Sequence, residues 1–356
     1  MVSERAEVVV LGMGPGGEEL AERLAEAGTD VIGVDGRLVG GECPYWGCVP
    51  SKMMLRAAGA LAEARRVPQL AGAATVTPDW AVVSHRIREE ATDGWDDHVA
   101  VERFESKGGR FVRGWGHLEG NRRVVVGDLE IEVSKAIVLN TGTEPWAPPV
   151  EGLDGTGFWT NREAIEVQEV PRSLLVLGGG AIGVELSQVF ARFGSKVTVV
   201  ETAPRILPPE EPESAEVLTK ALEEDGIDVL TGVKVGAAKR DGSGFSLQLD
   251  GKWTEPHEEL VVATGRRAHL RELGAASIGL DDDARFIPVD EHLRVRDAPG
   301  IWAVGDVTGV GAFTHVSMYQ ARIALADISG QEVPGARYHA LPRVTFTDPE
   351  IGSVGL

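Results

Sequence analysis

One internal repeat narrows the possible folds more than any other feature. Leu11-Gly12-Met13-Gly14-Pro15-Gly16-Gly17 is matched by Leu177-Gly178-Gly179-Gly180-Ala181-Ile182-Gly183, with every position displaced by 166 residues (12 to 178). Under the same displacement Glu19 meets Glu185, Leu20 meets Leu186, Gly28 meets Gly194, Val31 meets Val197 and Asp35 meets Glu201. The apolar run Val8-Val9-Val10-Leu11, bounded by glycine, reads as a buried strand. A helix follows with Leu20, Leu24 and Ala27 on one side, then a second strand, Val31-Ile32-Gly33-Val34, ending at Asp35. Glycines at 12 and 14 permit a tight turn and close approach to a pyrophosphate, and Gly17 permits close packing of helix on strand. The helix N-terminus offers free N–H groups to the phosphates, and the terminal acid can accept from ribose hydroxyls. A lone Gly-x-Gly-x-x-Gly is weak evidence. Two aligned copies, each in the full strand–turn–helix–strand–acid context, imply two dinucleotide sites.

A second pair of signals closes the two blocks. Ala136-Ile137-Val138-Leu139-Asn140-Thr141-Gly142-Thr143 and Leu260-Val261-Val262-Ala263-Thr264-Gly265-Arg266 are apolar strands ending in Thr-Gly, where backbone can approach a ligand. Short β-rich runs between Val229 and Leu249, broken at Asp241-Gly242-Ser243-Gly244, predict a hairpin meander. Gly114-Trp115-Gly116-His117 opens another short β segment. Residues 53–108 read as helical, first Met54 to Arg65 and then roughly Asp79 to Ser106, with Trp80, Val83, Ile87 and Trp95 as packing residues. Gly300-Ile301-Trp302-Ala303-Val304-Gly305-Asp306 is a strand ending in Gly-Asp, and Asp306 could bind a polyol. Thr314 is placed to cap a helix running to about Ile328, its positive end towards an electron-rich ring. The pattern is α/β: two Rossmann-like three-layer domains with β-meanders.

The chain has two cysteines, Cys43 and Cys48, within Gly40-Gly41-Glu42-Cys43-Pro44-Tyr45-Trp46-Gly47-Cys48-Val49-Pro50-Ser51-Lys52. On a regular helix, positions five apart have Cα atoms roughly 8–9 Å apart, whereas a disulfide needs less than about 7 Å. If the pair closes, the segment between must be distorted, and Pro44 and Gly47 supply the means. Pro50 suits the first turn of a helix starting near Cys48, whose thiolate the helix N-terminus would favour. Two unequal thiols in a small ring describe a redox couple better than a staple. Two buried free cysteines, or half of a metal site, are the competing readings; no second Cys or Cys/His pair completes such a site.

Composition excludes several classes. The balance of 35 Lys+Arg against 55 Asp+Glu, −20 overall, argues against nucleic acid or an anionic membrane as partner. No run approaches about 18 unbroken apolar residues, so no membrane span is expected. The start, Met1-Val2-Ser3-Glu4-Arg5, leads directly into a strand and offers no signal-peptide pattern, which suits a cytoplasmic protein.

Taken together, Gly-Gly-x-Cys-x4-Cys-Val-Pro-Ser-Lys, two dinucleotide fingerprints, two Thr-Gly turns and Ala303-Val304-Gly305-Asp306 resemble the flavin-dependent pyridine nucleotide–disulfide oxidoreductases. That family includes dihydrolipoamide dehydrogenase, glutathione reductase and mercuric reductase. The resemblance implies a glutathione-reductase-like fold: a discontinuous FAD domain over 1–149 and 271–337, and an NAD(P) domain over 150–270. It places FAD on Gly12, Gly14, Pro15, Gly17, Asp35, Gly41, Lys52, Gly116, Thr141, Gly142, Thr143, Asp306, Ala312, Thr314 and His315. It places NAD(P)H on Gly178, Gly180, Ile182, Gly183, Glu185, Glu201 and Gly265. Cys43 is then the thiol that exchanges with substrate, Cys48 the one beside the flavin, and Lys52 the flavin-side lysine paired with Glu185. Glu201 favours NADH, because a carboxylate repels a 2′-phosphate, while Arg205 leaves NADPH open.

Two departures stand out. Pro44-Tyr45-Trp46 is bulkier than the family's usual filling between the cysteines, which leaves the substrate open. Thr345-Phe346-Thr347-Asp348-Pro349-Glu350-Ile351-Gly352 resembles the opening strand of the family's C-terminal dimerisation domain, so 338–356 reads as the start of that domain, the remainder absent. The His–Glu acid/base pair which that domain supplies has no counterpart among the eight histidines. The expected function is transfer of reducing equivalents from NAD(P)H through FAD to a Cys43–Cys48 disulfide and on to a small-molecule disulfide or related acceptor, in a homodimer when full-length. An NAD(P)H diaphorase or quinone reductase using the flavin directly is the enzymatic alternative, and a flavin-binding scaffold the non-enzymatic one.

Overall fold

Apolar runs flanked by glycine become the inner strands of two sheets in the computed structural model, which describes residues 2–355. β1 (Val2–Leu11) passes through the first glycine turn into α1 (Pro15–Glu26) and β2 (Val31–Asp35). The cysteine stretch forms one helical turn, α2 (Glu42–Tyr45), and a long helix, α3 (Cys48–Leu70). Then come α4 (Trp80–Arg86), α5 (His98–Ser106), β3 (Arg110–Arg113), β4 (Gly116–Leu118), β5 (Arg123–Val126) and β6 (Leu129–Leu139). The chain enters the second unit through β7 (Glu144–Pro145) and α6 (Asn161–Glu166). That unit holds β8 (Ser173–Leu177), α7 (Ala181–Arg192), β9 (Lys196–Glu201), α8 (Pro212–Glu224) and β10 (Asp228–Thr231). A meander, β11 (Val235–Asp241), β12 (Gly244–Leu249) and β13 (Lys252–Trp253), precedes β14 (Glu259–Val262). β15 (Arg266–Arg267), which pairs with β7, leads back to α9 (Leu270–Leu273), β16 (Ile301–Ala303) and α10 (Thr314–Ile328). The hairpin β17 (Pro342–Thr345) and β18 (Ile351–Val354) follows.

The first sheet runs β3-β2-β1-β6, with β16 parallel on β6 and the antiparallel strands β5 and β4 beyond. The second runs β10-β9-β8-β14, all parallel. The two orders correspond strand for strand, and α1 and α7 begin and end 166 residues apart (15 and 181, 26 and 192). Each sheet is apolar on both faces, as parallel sheets covered by helices must be. In β1, Val8 and Val10 pack against α1 and α10, while Val9 and Leu11 face the segment around Leu270 to Val307. In β8, Leu174 and Val176 face α7, and Leu175 and Leu177 face the meander. Met54 and Ala58 of α3 lie in the same cluster as Val184 and Val189 of α7, so the cysteine-bearing helix is seated on the second unit.

Two expected elements differ. β1 starts at Val2 rather than Val8, because Val2 to Ala6 pair with Leu129 to Val133 of the similarly long β6; Ser3-Glu4-Arg5 hides this from any apolar pattern. The helical stretch expected from Asp79 to Ser106 is broken. A wide turn over 87–91 follows α4, and Asp93, Gly94 and Trp95 all take positive φ. Thr92 Oγ1 donates to the carbonyls of Ile87 and Arg88, which stops the helix there.

Candidate active site

The first and third glycines of each fingerprint are required by distance. A Cβ on Gly12 would lie 2.3 Å from the Asn140 carbonyl oxygen, and one on Gly178 would lie 2.4 Å from that of Ala263. A Cβ on Gly17 would lie 2.1 Å from the Gly12 oxygen, and one on Gly183 1.9 Å from the Gly178 oxygen. At the centre of each turn, the backbone itself faces the cleft. A Cβ on Gly41 would come within 2.8 Å of Gly14 Cα, and Gly180 opens onto free space. Pro15 occupies the start of α1, and Ile182, in the first turn of α7, is exposed. Both turns lie at the carboxyl ends of the strands, between β1 and β6 and between β8 and β14, where strand order reverses.

The terminal acids are fixed in the same way in both units. Asp35 accepts from the N–H of Met13 and of Arg37, each at 2.7 Å. Glu201 accepts from the N–H of Gly179 and of Ala203, also at 2.7 Å. Each oxygen keeps a lone pair for a ribose hydroxyl. Burial pushes the Asp35 carboxyl up, against the pull of those N–H groups. Arg205 is spent on the carbonyls of Leu207 and Pro208, at 2.8 Å each.

The cysteine segment is interrupted as its spacing demands. α2 ends at Trp46 (φ −135°), and Gly47 (φ −126°, ψ −115°) resets the chain before α3 starts at Cys48. Both cysteines are free thiols, Cys43 half-buried and Cys48 exposed. Cys48 is the first residue of α3, and its Sγ lies 3.4 Å from Oγ1 of Thr314, the first residue of α10. Two helix N-termini therefore meet at one sulfur. The Cys43 thiol donates to Cys48, and Thr314 and the Lys52 ammonium add to that stabilisation. Against the opposing cost of burial, they pull Cys48 down to about 6, while Cys43 is pushed up. Phe313 occupies the N-cap of α10; the Thr314 hydroxyl expected to cap the helix serves the sulfur instead.

Behind the sulfur, Lys52 Nζ donates to Glu185 Oε2 at 2.8 Å. The other Glu185 oxygen accepts from the Phe346 N–H at 2.8 Å, and the Phe346 ring lies 4.7 Å beneath the ammonium. α3, α7 and the segment after β17 thus converge on one ion pair. Tyr45 points into the protein, and Trp46 lies half-buried against the core of the second unit. The Tyr45 hydroxyl donates to the Val39 carbonyl at 3.2 Å, and Trp46 Nε1 donates to Glu166 at 2.6 Å. Their bulk anchors α2.

The remaining expected residues close the first cleft. Gly142 (φ +65°) follows Thr141, and Thr143 Oγ1 donates to Asp306 at 3.3 Å. Burial raises the Asp306 carboxyl, against the attraction of Arg266. Gly265 (φ +138°) makes the matching turn after β14, and Gly116 passes so close to Leu11 that a Cβ would sit 2.5 Å from its side chain. Ala312 precedes α10, and His315 stacks on Phe313 with its Nε2 3.0 Å from the Pro342 carbonyl. Sequence reading missed the residues that hold these turns together. Asn140 donates to the Gly12 carbonyl at 3.1 Å and accepts from Ser317, Gln320 accepts from the Gly305 N–H at 2.6 Å, and Arg266 donates to Thr143 at 2.9 Å. Only Asn140, a lone amide between an apolar strand and Thr-Gly, carries a local cue.

The geometry fits two dinucleotides: each turn is floored by backbone a Cβ would block, each opens a long helix, and each ends on a tethered carboxylate. The description "Pyridine nucleotide-disulphide oxidoreductase" matches residues 6–326. The chain belongs to the pyridine nucleotide-disulphide oxidoreductase family. It is 34% identical to the dihydrolipoyl dehydrogenase of Chlorobaculum tepidum, over 98% of this chain and 76% of that protein. It is 33% identical to the mercuric reductase of Streptomyces lividans, over 98% and 75%. Among solved structures it is similar to the HOCl-induced flavoprotein disulfide reductase RclA from Escherichia coli (TM-score 0.87, 27% identity, 98% of this chain and 77% of that one). LpdA from Mycobacterium tuberculosis is also similar (TM-score 0.85, 28% identity, 99% and 78%). The fold is the two-Rossmann fold of this family, and the chain is an oxidoreductase that uses FAD and NAD(P)H and works through a redox disulfide. No helix among the described residues is long and apolar enough to cross a membrane.

Proposed function

We propose that the chain is an NADH-dependent disulfide reductase of the dihydrolipoyl dehydrogenase type, with Cys43 and Cys48 as its redox pair. FAD would lie along residues 1–149 and 271–337, on Gly12, Gly14, Gly17, Asp35, Gly41, the Thr141–Thr143 turn, Asp306 and the start of α10. NADH would lie on residues 150–270, at Gly178, Gly180, Gly183 and Glu201, and the family's homodimer would be the working assembly. The observation that carries the reading is the meeting of two helix N-termini and Thr314 at Cys48, with Lys52–Glu185 behind it. Glu201 and the engagement of Arg205 with backbone carbonyls support NADH, since no free guanidinium is left at that tip for a 2′-phosphate.

FAD supplies, when bound, the two-electron link between NADH and the cysteine pair. The chain's own part is to hold charge and proton. Opening the Cys43–Cys48 disulfide takes two electrons and one proton, the hydride equivalent that NADH supplies; the proton rests on Cys43 and one negative charge on Cys48, where helix ends, Thr314 and Lys52 stabilise it. The proton held on Cys43 passes to Cys48, and the Cys43 thiolate attacks one sulfur of the acceptor disulfide and expels the first thiolate product. Cys48 then attacks Cys43 and gives its proton to the departing sulfur, so the mixed disulfide breaks, the second product leaves as a thiol and the internal disulfide re-forms.

Steady-state assays with NADH and NADPH, against lipoamide, other low-molecular-weight disulfides and a quinone, test this. NADH with a disulfide should give the higher kcat/KM, and Cys43→Ser should remove disulfide reduction by at least about a thousandfold. Quinone reduction that survives Cys43→Ser while no disulfide is turned over would replace this reading with direct transfer from the flavin.

A further inference from the structure

We infer that α6 of the second unit clamps the cysteine loop of the first, and that Glu42 and Arg162 are positioning residues that hold the Cys43 thiol against Cys48. The inference deepens the proposed function and rests on its assignment of Cys43 and Cys48 as the redox pair. α2 is a single turn of 4 residues, of which only Tyr45 is buried, and Gly47 interrupts the chain just after it. A segment so short has too little packing of its own to fix a sulfur. The Tyr45 hydroxyl ties it to Val39 of the first unit, and α6 holds it from the other side. At the leading end, Arg162 Nε donates to Glu42 Oε1 at 2.8 Å and Asn161 Nδ2 donates to Glu42 Oε2 at 3.2 Å. At the trailing end, Asn161 Nδ2 also donates to the Trp46 carbonyl at 2.8 Å. The Arg162 guanidinium lies 5.5 Å from the centre of a Trp46 ring whose indole N–H donates to Glu166 at 2.6 Å. Cys43 is suspended between these two ends.

α6 itself is held firmly. Its capping box is closed, with Thr160 accepting from the Arg162 N–H at 3.2 Å and Glu163 accepting from the Thr160 N–H at 2.6 Å. Ala164 and Ile165 are buried in the core of the second unit. The Arg162 side chain, 16% exposed, pairs with Glu144 as well, at 2.7 Å, and Arg37 holds Glu144 in turn. Ion pairs thus run from Arg37, just past β2, through Glu144 on the crossover strand β7 and Arg162 on α6 to the residue before Cys43. Ion pairs withdrawn from water stabilise a fold poorly compared with apolar packing, and their best-attested use is to select one arrangement. The arrangement selected here keeps the Cys43 thiol donating to Cys48, the largest influence drawing Cys48 down, against the cost of burial. Thr314 from α10 and Lys52 from α3, itself paired with Glu185 of α7, are the other groups facing that sulfur. The clamp reaches it through Cys43.

The test is the pH dependence of iodoacetamide alkylation at Cys48 in the reduced holoenzyme, assigned by peptide mass spectrometry, for the wild type, Glu42→Ala, Arg162→Met and Arg162→Lys. By charge alone, removing a carboxylate near the sulfurs would favour the Cys48 thiolate and lower the midpoint. Loss of the clamp does the opposite. Glu42→Ala and Arg162→Met should each raise the midpoint by about one to two pH units, the worth of one hydrogen bond to a charged group. Glu42→Ala leaves Arg162 paired with Glu144, so no charge is stranded. Arg162→Lys keeps the charge without the planar fork and should recover less than about half of the shift. A midpoint that Glu42→Ala lowers or leaves unmoved overturns the inference, and so does full recovery by Arg162→Lys. A wild type whose two thiols never close on oxidation overturns the redox-pair reading, and the inference falls with it.

Discussion

At the scale of single residues, the chemistry is concentrated in sulfur and in the absence of a carbon atom. Cys48 is drawn down to about 6 by the Cys43 thiol, Thr314 and Lys52, so it is an anion above that pH and a thiol below it. The rate of iodoacetamide alkylation of the reduced protein should rise with pH through a midpoint near 6, and Lys52→Ala should move the midpoint upwards. A midpoint unmoved by Lys52→Ala would mean that the ammonium contributes nothing. Gly183→Ala places a methyl 1.9 Å from the Gly178 oxygen. It should weaken NADH binding at least about tenfold while leaving flavin content intact, and Gly17→Ala should do the converse. These glycines and acids were legible in the sequence because a Cβ has no room at Gly12, Gly17, Gly178 and Gly183, and because a carboxylate, Asp or Glu, ends the second strand of each copy. Asn140, Ser317 and Gln320 were not, since their partners lie at distant chain positions and an amide or hydroxyl has no periodic signature.

Among elements, α7 shows how a helix is tied to chain that arrives much later. Arg192 in its last turn, 4% exposed, reaches Asp225 at 2.9 Å and Asp348 at 2.8 Å, and Gln188 donates to the Asp348 carbonyl. Arg192→Ala would leave two carboxylates short of a partner and should cost about 2–4 kcal/mol by denaturant unfolding. Burial works against the Asp348 carboxylate, but Arg66 and Arg192 prevail and hold its carboxyl below the usual range. The sign follows: this contribution is complete above the unfolded value near 4 and is lost as pH falls through the lower folded value. Arg192→Ala should therefore lie furthest below the wild type in stability near neutrality and approach it in acid. Element ends were legible where punctuation is strong. α10 ends at Ile328 as expected, although Thr314 is its first residue rather than its cap. The break between α4 and α5 was not, because it depends on Asp93 and Trp95 accepting positive φ and on a Thr92 hydroxyl, none of which interrupts an apolar pattern.

For the whole molecule, the formal charge of −20 sets the approach of an anionic substrate. Repulsion between the protein and NADH should be screened as salt rises from about 0.01 M to about 0.15 M, where the Debye length falls from about 30 Å to about 8 Å. The KM for NADH should fall about two- to threefold over that range, with kcat unchanged. A KM that rises would show that local positive helix ends outweigh the net field. The duplicated topology was the most legible feature of all, because one displacement aligns glycines, acid and helix ends together. Of the route by which the first unit grips the second, the Lys52–Glu185 pair was legible through the resemblance, whereas the packing of Met54 and Ala58 of α3 on the second unit was not. That helix starts at a redox sulfur and is bolted along its flank to the neighbouring sheet's helix. A wide swing of one half against the other would drag the thiol pair out of line. NADH is therefore expected to enter and leave without a wide swing of one half against the other, and turnover should tolerate viscous or crowded surroundings that slow enzymes built on a hinge.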